Sequence, residues 1–108
     1  MNPVVEIDLR AIKEIGDLHD MLANTFGFPH FYGRNLNALI DCWGSLRVPE
    51  DKMTNISVRD DECLLLMVKG LSSSSREIFS GLISAVEAAN SWEVCLHKKP
   101  VIHILPVN

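Results

Sequence analysis

In Phe28-Pro29-His30-Phe31-Tyr32-Gly33-Arg34-Asn35-Leu36-Asn37-Ala38-Leu39-Ile40-Asp41-Cys42-Trp43 the residue types suit recognition rather than turnover. Asp41 is a carboxylate on a stretch whose spacing predicts a short helix. Two aromatics, Phe31 and Tyr32, precede it in a connection punctuated by Pro29 and Gly33. A carboxylate on a rigid helix can accept charge-assisted hydrogen bonds from a cationic partner. Asp41 falls in the later half of that helix, where a negative charge gains nothing from the helix dipole. Its position leaves room for a binding role. Tyr32 reads as an anchor holding the loop to the core.

Other chemistry finds little support. Catalysis in a chain of this size needs a nucleophile beside a base, a carboxylate pair or a metal cluster, and no such arrangement is visible. His19, His30, His97 and His103 fall on different elements without ligand spacing and read as surface or capping residues, with His19 solvated beside Asp20. The glycines are scattered, so no phosphate-cradling loop is present. The expectation is therefore no catalytic residue, no metal and no cofactor. Lys98-Lys99 is the only basic doublet, and the net charge of −4 opposes direct nucleic-acid binding while favouring a cationic partner.

A length of 108 residues supports one domain, residues 1–108, with a single core. No apolar run approaches the roughly 20 residues needed to cross a bilayer, and Met1 to Asp8 lacks the basic and apolar pattern of a secretory signal. A cytoplasmic protein, monomeric when free, is expected. Three cysteines at wide spacings make neither a zinc pattern nor a paired framework. Cys63 and Cys95 read as small buried hydrophobes, and Cys42 is left open.

The elements that must position the motif can be traced by periodicity. Val4, Ile7 and Leu9 read as a strand. A helix opens at Gly16-Asp17, carries Leu18, Leu22 and Phe26 on one stripe, and stops at Gly27. The second helix runs from about Asn35 to about Ser45. Leu36, Leu39, Ile40 and Trp43 are expected to face the core, and Arg34, Asn37, Ala38, Asp41 and Ser45 the other side. Arg47 to Glu62 reads as a surface connection in which Ile56-Ser57-Val58 has the composition of a short edge strand. Cys63 to Val68, apolar throughout, suits a central strand covered on both faces. Ser74 with Glu77 forms a capping-box pattern before a long helix containing Ile78, Phe79, Leu82, Ile83, Val86 and Ala89. Trp92 to Leu96 alternates like a strand, and Val101 to Leu105 has the pattern of another. Strands separated by helices favour a small parallel α/β sheet.

Pro29 with Tyr32-Gly33-x-Asn35-Leu36-x-Ala38-Leu39-x-Asp41-Cys42, together with Asp17-Leu18-His19-x-x-Leu22, resembles the barstar family of ribonuclease inhibitors. The resemblance covers the first half of the chain in register; the second half agrees in its order of strand, helix and strand. It implies a two-layer α/β fold with a three-stranded parallel sheet packed with helices, with room for an extra edge strand. It also implies a function performed by the second helix and the loop before it, which plug the active site of a ribonuclease. Asp41 matches the family's central aspartate, a surrogate for the substrate phosphate. Phe31 matches an aromatic that packs on the nuclease, and Gly33, Asn35 and Leu36 match loop and helix-start contacts. Ala38, Ile40 and Ser45 complete the partner-binding set with Arg34 and Asn37.

Three positions depart from the family pattern. Asn37 replaces an aspartate, Arg34 an acidic residue and Ile40 a tryptophan, so the surface is less acidic. Ile40 is placed in the core by periodicity and near the partner by the resemblance. A later acidic contact has only Glu87 as a candidate. The resemblance thus implies an immunity protein against a secreted or delivered ribonuclease toxin. The alternatives are a toxin of another class or, less favoured, a small enzyme.

Overall fold

The computed structural model describes residues 1–107. Alternation fixes the first strand. Along β1 (Val4–Asp8), Val5 and Ile7 enter the core while Val4, Glu6 and Asp8 face outward. β2 (Leu64–Lys69) lies between β1 and β3 (Ile102–Val107), all strands parallel, with Val5 opposite Leu66 and Leu66 opposite Ile104. β2 is central, as expected, but it is not covered equally on both sides. Leu64, Leu66 and Val68 are buried, whereas Leu65, Met67 and Lys69 are only half-buried. The result is the two-layer α/β arrangement that the resemblance implied.

Three helices accompany the sheet, α1 (Ile15–Phe26), α2 (Leu36–Trp43) and α3 (Arg76–Cys95), with α3 against β3 and α1 and α2 against α3. Leu18, Leu22 and Phe26 of α1 are buried along one stripe. Gly27 ends the helix in the left-handed region (φ 66°) with its N–H on the Ala23 carbonyl. A Cβ there would lie 2.7 Å from the Asn55 side chain, so conformation and packing both require glycine. Trp43 is fully buried edge-on to Phe26, centroids 5.6 Å apart, and its indole N–H has no partner among the described residues.

The structure corrects several expectations. The cap of α3 is Ser75, whose Oγ accepts from the Ile78 N–H, while Ser74 turns back to the Leu71 carbonyl. With the cap shifted by one residue, Glu77 no longer stands where a capping box needs it. Trp92 to Leu96 forms no strand, because α3 continues to Cys95. Its buried stripe runs Ile78, Leu82, Ala85, Val86, Ala89 and then Glu93, whose carboxylate meets the equally buried Arg47 at 3.5 Å. Ile56-Ser57-Val58 is not a strand either. Val58 is buried in the core, and its N–H donates to the Leu46 carbonyl (2.9 Å).

The stretch from Arg47 to Glu62 is more than a surface connection. The Arg47 guanidinium donates to the carbonyls of Arg59, Glu62, Lys99 and Pro100, tying this stretch to the lead-in of β3. Cys63 is half-buried and Cys95 exposed, against the expectation of two buried thiols, and Cys42 is the buried one. No helix among the described residues is long and apolar enough to cross a membrane.

Candidate functional site

The loop before α2 divides its aromatics between anchoring and display. Phe28 is buried, stacking on Phe26 (5.7 Å) and meeting Tyr32 at 4.7 Å. The Tyr32 N–H bonds to the Pro29 carbonyl, closing the turn, and the Tyr32 hydroxyl shares a 2.6 Å hydrogen bond with Nδ1 of His19 on α1. Held from both ends, the turn leaves Phe31 outside, 68% exposed. Tyr32 is the anchor the residue pattern suggested. His19 is neither solvated nor a surface residue; it is 4% exposed and joins α1 to the loop.

Burial pushes the His19 imidazole below its ordinary pKa of 6.5, reinforced by nearby Arg34, and pushes the Tyr32 phenol well above its usual range. Since His19 in the unfolded chain takes up a proton before the folded one does, stability is fully present above pH 6.5 and declines as pH falls toward the lowered folded value. Urea midpoints measured from pH 7.5 downward are expected to fall below pH 6.5, and His19→Gln is expected to flatten that slope. A wild-type midpoint independent of pH through this window would contradict the role of His19.

The start of α2 is set by Asn35. Its backbone is extended (φ −143°, ψ 171°) and its side-chain oxygen accepts from the Ala38 N–H at 2.8 Å. Asn35→Ala should cost about 1 kcal/mol of stability, read as a lower urea midpoint at unchanged slope. Gly33 sits close by, and a Cβ there would come within 3.3 Å of the Asn35 amide and 3.5 Å of the Ala38 methyl. Substitution at Gly33 would press on the cap itself.

From this capped helix Asp41 projects outward. It is exposed, and its carboxylate enters none of the side-chain hydrogen bonds or ion pairs among the described residues. The neighbouring charges are engaged elsewhere: Asp51 with the Ser45 hydroxyl (3.0 Å) and Arg34 with Asp20 (2.8 and 3.2 Å). Asp41 stands between two hollows. One, of about 200 Å³, is lined by Phe31, Tyr32, Gly33, Ala38, Cys42 and Met53 together with Pro29. The other, of about 520 Å³, runs between α2 and α3 past Ile40, Gly44, Ser45, Ala88 and Trp92. Cys42 is no nucleophile here, since burial and the adjacent Asp41 push its thiol up to about 11.

The expected site residues are thus not all equivalent. Phe31, Gly33, Asn35, Leu36, Asn37 and Asp41 are exposed along the loop and α2, and Ala38 and Ser45 are half-buried beside them. Leu36, expected in the core, is 40% exposed, because it occupies the first position of an eight-residue helix, beyond the packed stripe. Ile40 does both things asked of it: it packs partly on the core and lines the α2–α3 groove. Arg34 precedes the cap at φ 52°, and its guanidinium is drawn to Asp20 and the Gly16 carbonyl on α1. Arg34 lines neither hollow beside Asp41.

The scan of protein families matches residues 2–104 to the family described as Barstar (barnase inhibitor). The chain belongs to the barstar family. It is also similar to a Bacillus subtilis (strain 168) protein named "Putative ribonuclease inhibitor YrdF", 53% identical over 36 residues. That alignment takes in 33% of this chain and 40% of the relative's length. Within the barstar frame, Glu87 is exposed but lines neither hollow beside Asp41. The α3 residues that do reach the Asp41 groove are Ala88, Ala89 and Trp92. Trp92 was missed because its stretch read as a strand. A helical reading continued one turn past Ala89 would have placed it there.

Proposed function

We propose that the protein binds and occludes the active site of a bacterial ribonuclease toxin, using α2 and the loop before it. The observation that carries this reading is the state of Asp41: a carboxylate exposed on a capped helix, without a side-chain partner among the described residues, next to the outward-facing Phe31. Family membership supports a ribonuclease as the target. A pocket that holds a phosphodiester presents cations, and a fixed carboxylate can fill the phosphate position there through charge-assisted hydrogen bonds. The protein has no scissile bond to offer and acts by binding, as a monomer in the cytoplasm of the producing cell. Phe31 covers apolar surface at the cleft, Gly33, Asn35, Leu36, Asn37 and Ala38 complete the contact, and Ile40 and Ser45 extend it toward α3.

Titration of barnase and related bacterial ribonucleases in an RNA-cleavage assay tests this. One equivalent of protein is expected to abolish cleavage by its target, and full cleavage by every ribonuclease at excess protein would count against the reading. A second reading, a toxin of another class, draws on the departures at Arg34, Asn37 and Ile40: Asn37 and Ile40 carry no charge and Arg34 is paired with Asp20. A captured partner that leaves RNA intact would favour it.

A further inference from the structure

A third hollow, of about 150 Å³, lies where α1, α2 and α3 meet. Its walls are Ile15, Leu18 and Leu39, and the exposed Leu36 and Glu77 stand at its rim. His19 also lines it, as a buried polar side chain in an otherwise apolar wall. The Nδ1 atom of that imidazole is taken by the Tyr32 hydroxyl at 2.6 Å, and Tyr32 does not line the hollow. The other ring nitrogen, Nε2, enters none of the side-chain hydrogen bonds among the described residues. A single polar group set among apolar side chains is what orients a small ligand in such a place. Gly81 helps to keep the hollow open. It stands inside the twenty-residue α3, where glycine favours the helix less than alanine does. A Cβ there would meet only the terminal methyl of Ile15, at 3.3 Å, a contact that a small rotation of that side chain relieves. Neither the helical backbone nor the packing therefore demands glycine, and a longer side chain would project into the hollow.

We propose that this hollow binds a small neutral alcohol built on one six-membered ring, of the phenol class, with its hydroxyl on Nε2 of His19 and its ring against Ile15, Leu18 and Leu39. The volume suits that class, since an apolar cavity of about 150 Å³ is enough to take up benzene. The polar group suits it as well. Burial holds the His19 pKa below 6.5, so the imidazole is neutral at pH 7, with one nitrogen donating and the other accepting. A hydroxyl both donates and accepts, and so it pairs with Nε2 whichever nitrogen bears the proton. An ammonium group has no lone pair for an Nε2 proton and is costly to bury. Carboxylates and phosphates are repelled by Glu77, whose own carboxylate enters no side-chain hydrogen bond or ion pair among the described residues. The bound hydroxyl extends a chain that runs through His19 to Tyr32, so occupancy steadies the loop that displays Phe31. The site owes nothing to the class of the protein partner.

Phenol, toluene and benzoate titrated into the ¹³C,¹⁵N-labelled protein at neutral pH test the site. Phenol is expected to shift the His19 ring nitrogens in a saturable way and to give intermolecular NOEs to the methyl groups of Ile15, Leu18 and Leu39. Toluene, which has the ring without the hydroxyl, is expected to bind about tenfold more weakly or worse, and benzoate to leave the spectrum unchanged. Gly81→Leu, which fills the hollow, is expected to abolish the phenol response at an equal or higher melting temperature. No saturable shift at His19, NOEs confined to other residues, or toluene or benzoate binding as tightly as phenol overturns the proposal. A folded Gly81→Leu variant that keeps the wild-type affinity for phenol also overturns it. Should that variant not fold, the NOEs in the wild-type protein decide.

Discussion

Asp41→Ala is expected to weaken binding of the ribonuclease by about 2 to 5 kcal/mol, roughly thirty-fold to a few thousand-fold in Kd, while leaving the protein slightly more stable. The two signs follow from one position. Asp41 lies in the last turn of α2, where the helix dipole disfavours a negative charge, and no side-chain bond among the described residues compensates it. Removing it relieves about 0.3 to 1 kcal/mol of repulsion in the free protein. In the complex the same change strands the nuclease cations that the carboxylate had faced, and truncation of one member of a desolvated charge pair is costly. The barnase–barstar complex is among the systems from which that range was drawn, so the magnitude carries over from the family rather than from the geometry of this chain. Calorimetric affinity and urea midpoint measured on the same variant separate the two effects. Equal affinity with raised stability would make Asp41 an ordinary surface carboxylate.

The largest loss of stability is expected from Glu93→Ala, about 3 to 5 kcal/mol. Glu93 and Arg47 have side chains 4% and 1% exposed, and the guanidinium already serves four carbonyls from two separate segments. Deleting the carboxylate leaves that cation buried with dipoles alone to balance it, and the end of α3 loses its inward-facing group. For a chain of this size the melting temperature should drop by at least about 12 °C. The double variant Arg47→Met with Glu93→Leu should be less destabilised than the two single changes summed, because it removes both charges together. A single-variant loss below about 1 kcal/mol, by urea denaturation, would show that the pair carries little of the fold's stability.

These two residues also show where sequence reading reached its limit. The exposed position of Asp41 on a capped helix was legible because its information is local: a cap residue, a helical spacing and a run of neighbours that matches a family. β2 and the stripe of α1 were legible for the same reason. Glu93 was not, since Trp92-Glu93-Val94-Cys95-Leu96 satisfies a two-residue alternation on its own, and only burial against Arg47, far earlier in the chain, turns a charged residue into part of a helical stripe. His19 is a similar case. Beside Asp20 it looks solvated, and the Tyr32 hydroxyl that buries it comes thirteen residues later. Leu36 failed in the opposite direction: its apolar character fitted the stripe, but α2 begins there, before the core does. The pairing of Arg34 was equally hidden, because a left-handed backbone just before the cap sends its side chain to Asp20 on α1.

Occupancy of the nuclease cleft is the most direct test of the account. Calorimetric titration of the ribonuclease can be run with the cleft empty and with it filled by a non-cleavable dinucleotide. The apparent affinity of the protein is expected to fall in proportion to nucleotide occupancy, because the Asp41 carboxylate and the nucleotide phosphate would compete for the same cations. Undiminished affinity for the filled enzyme would place the binding surface elsewhere and contradict occlusion.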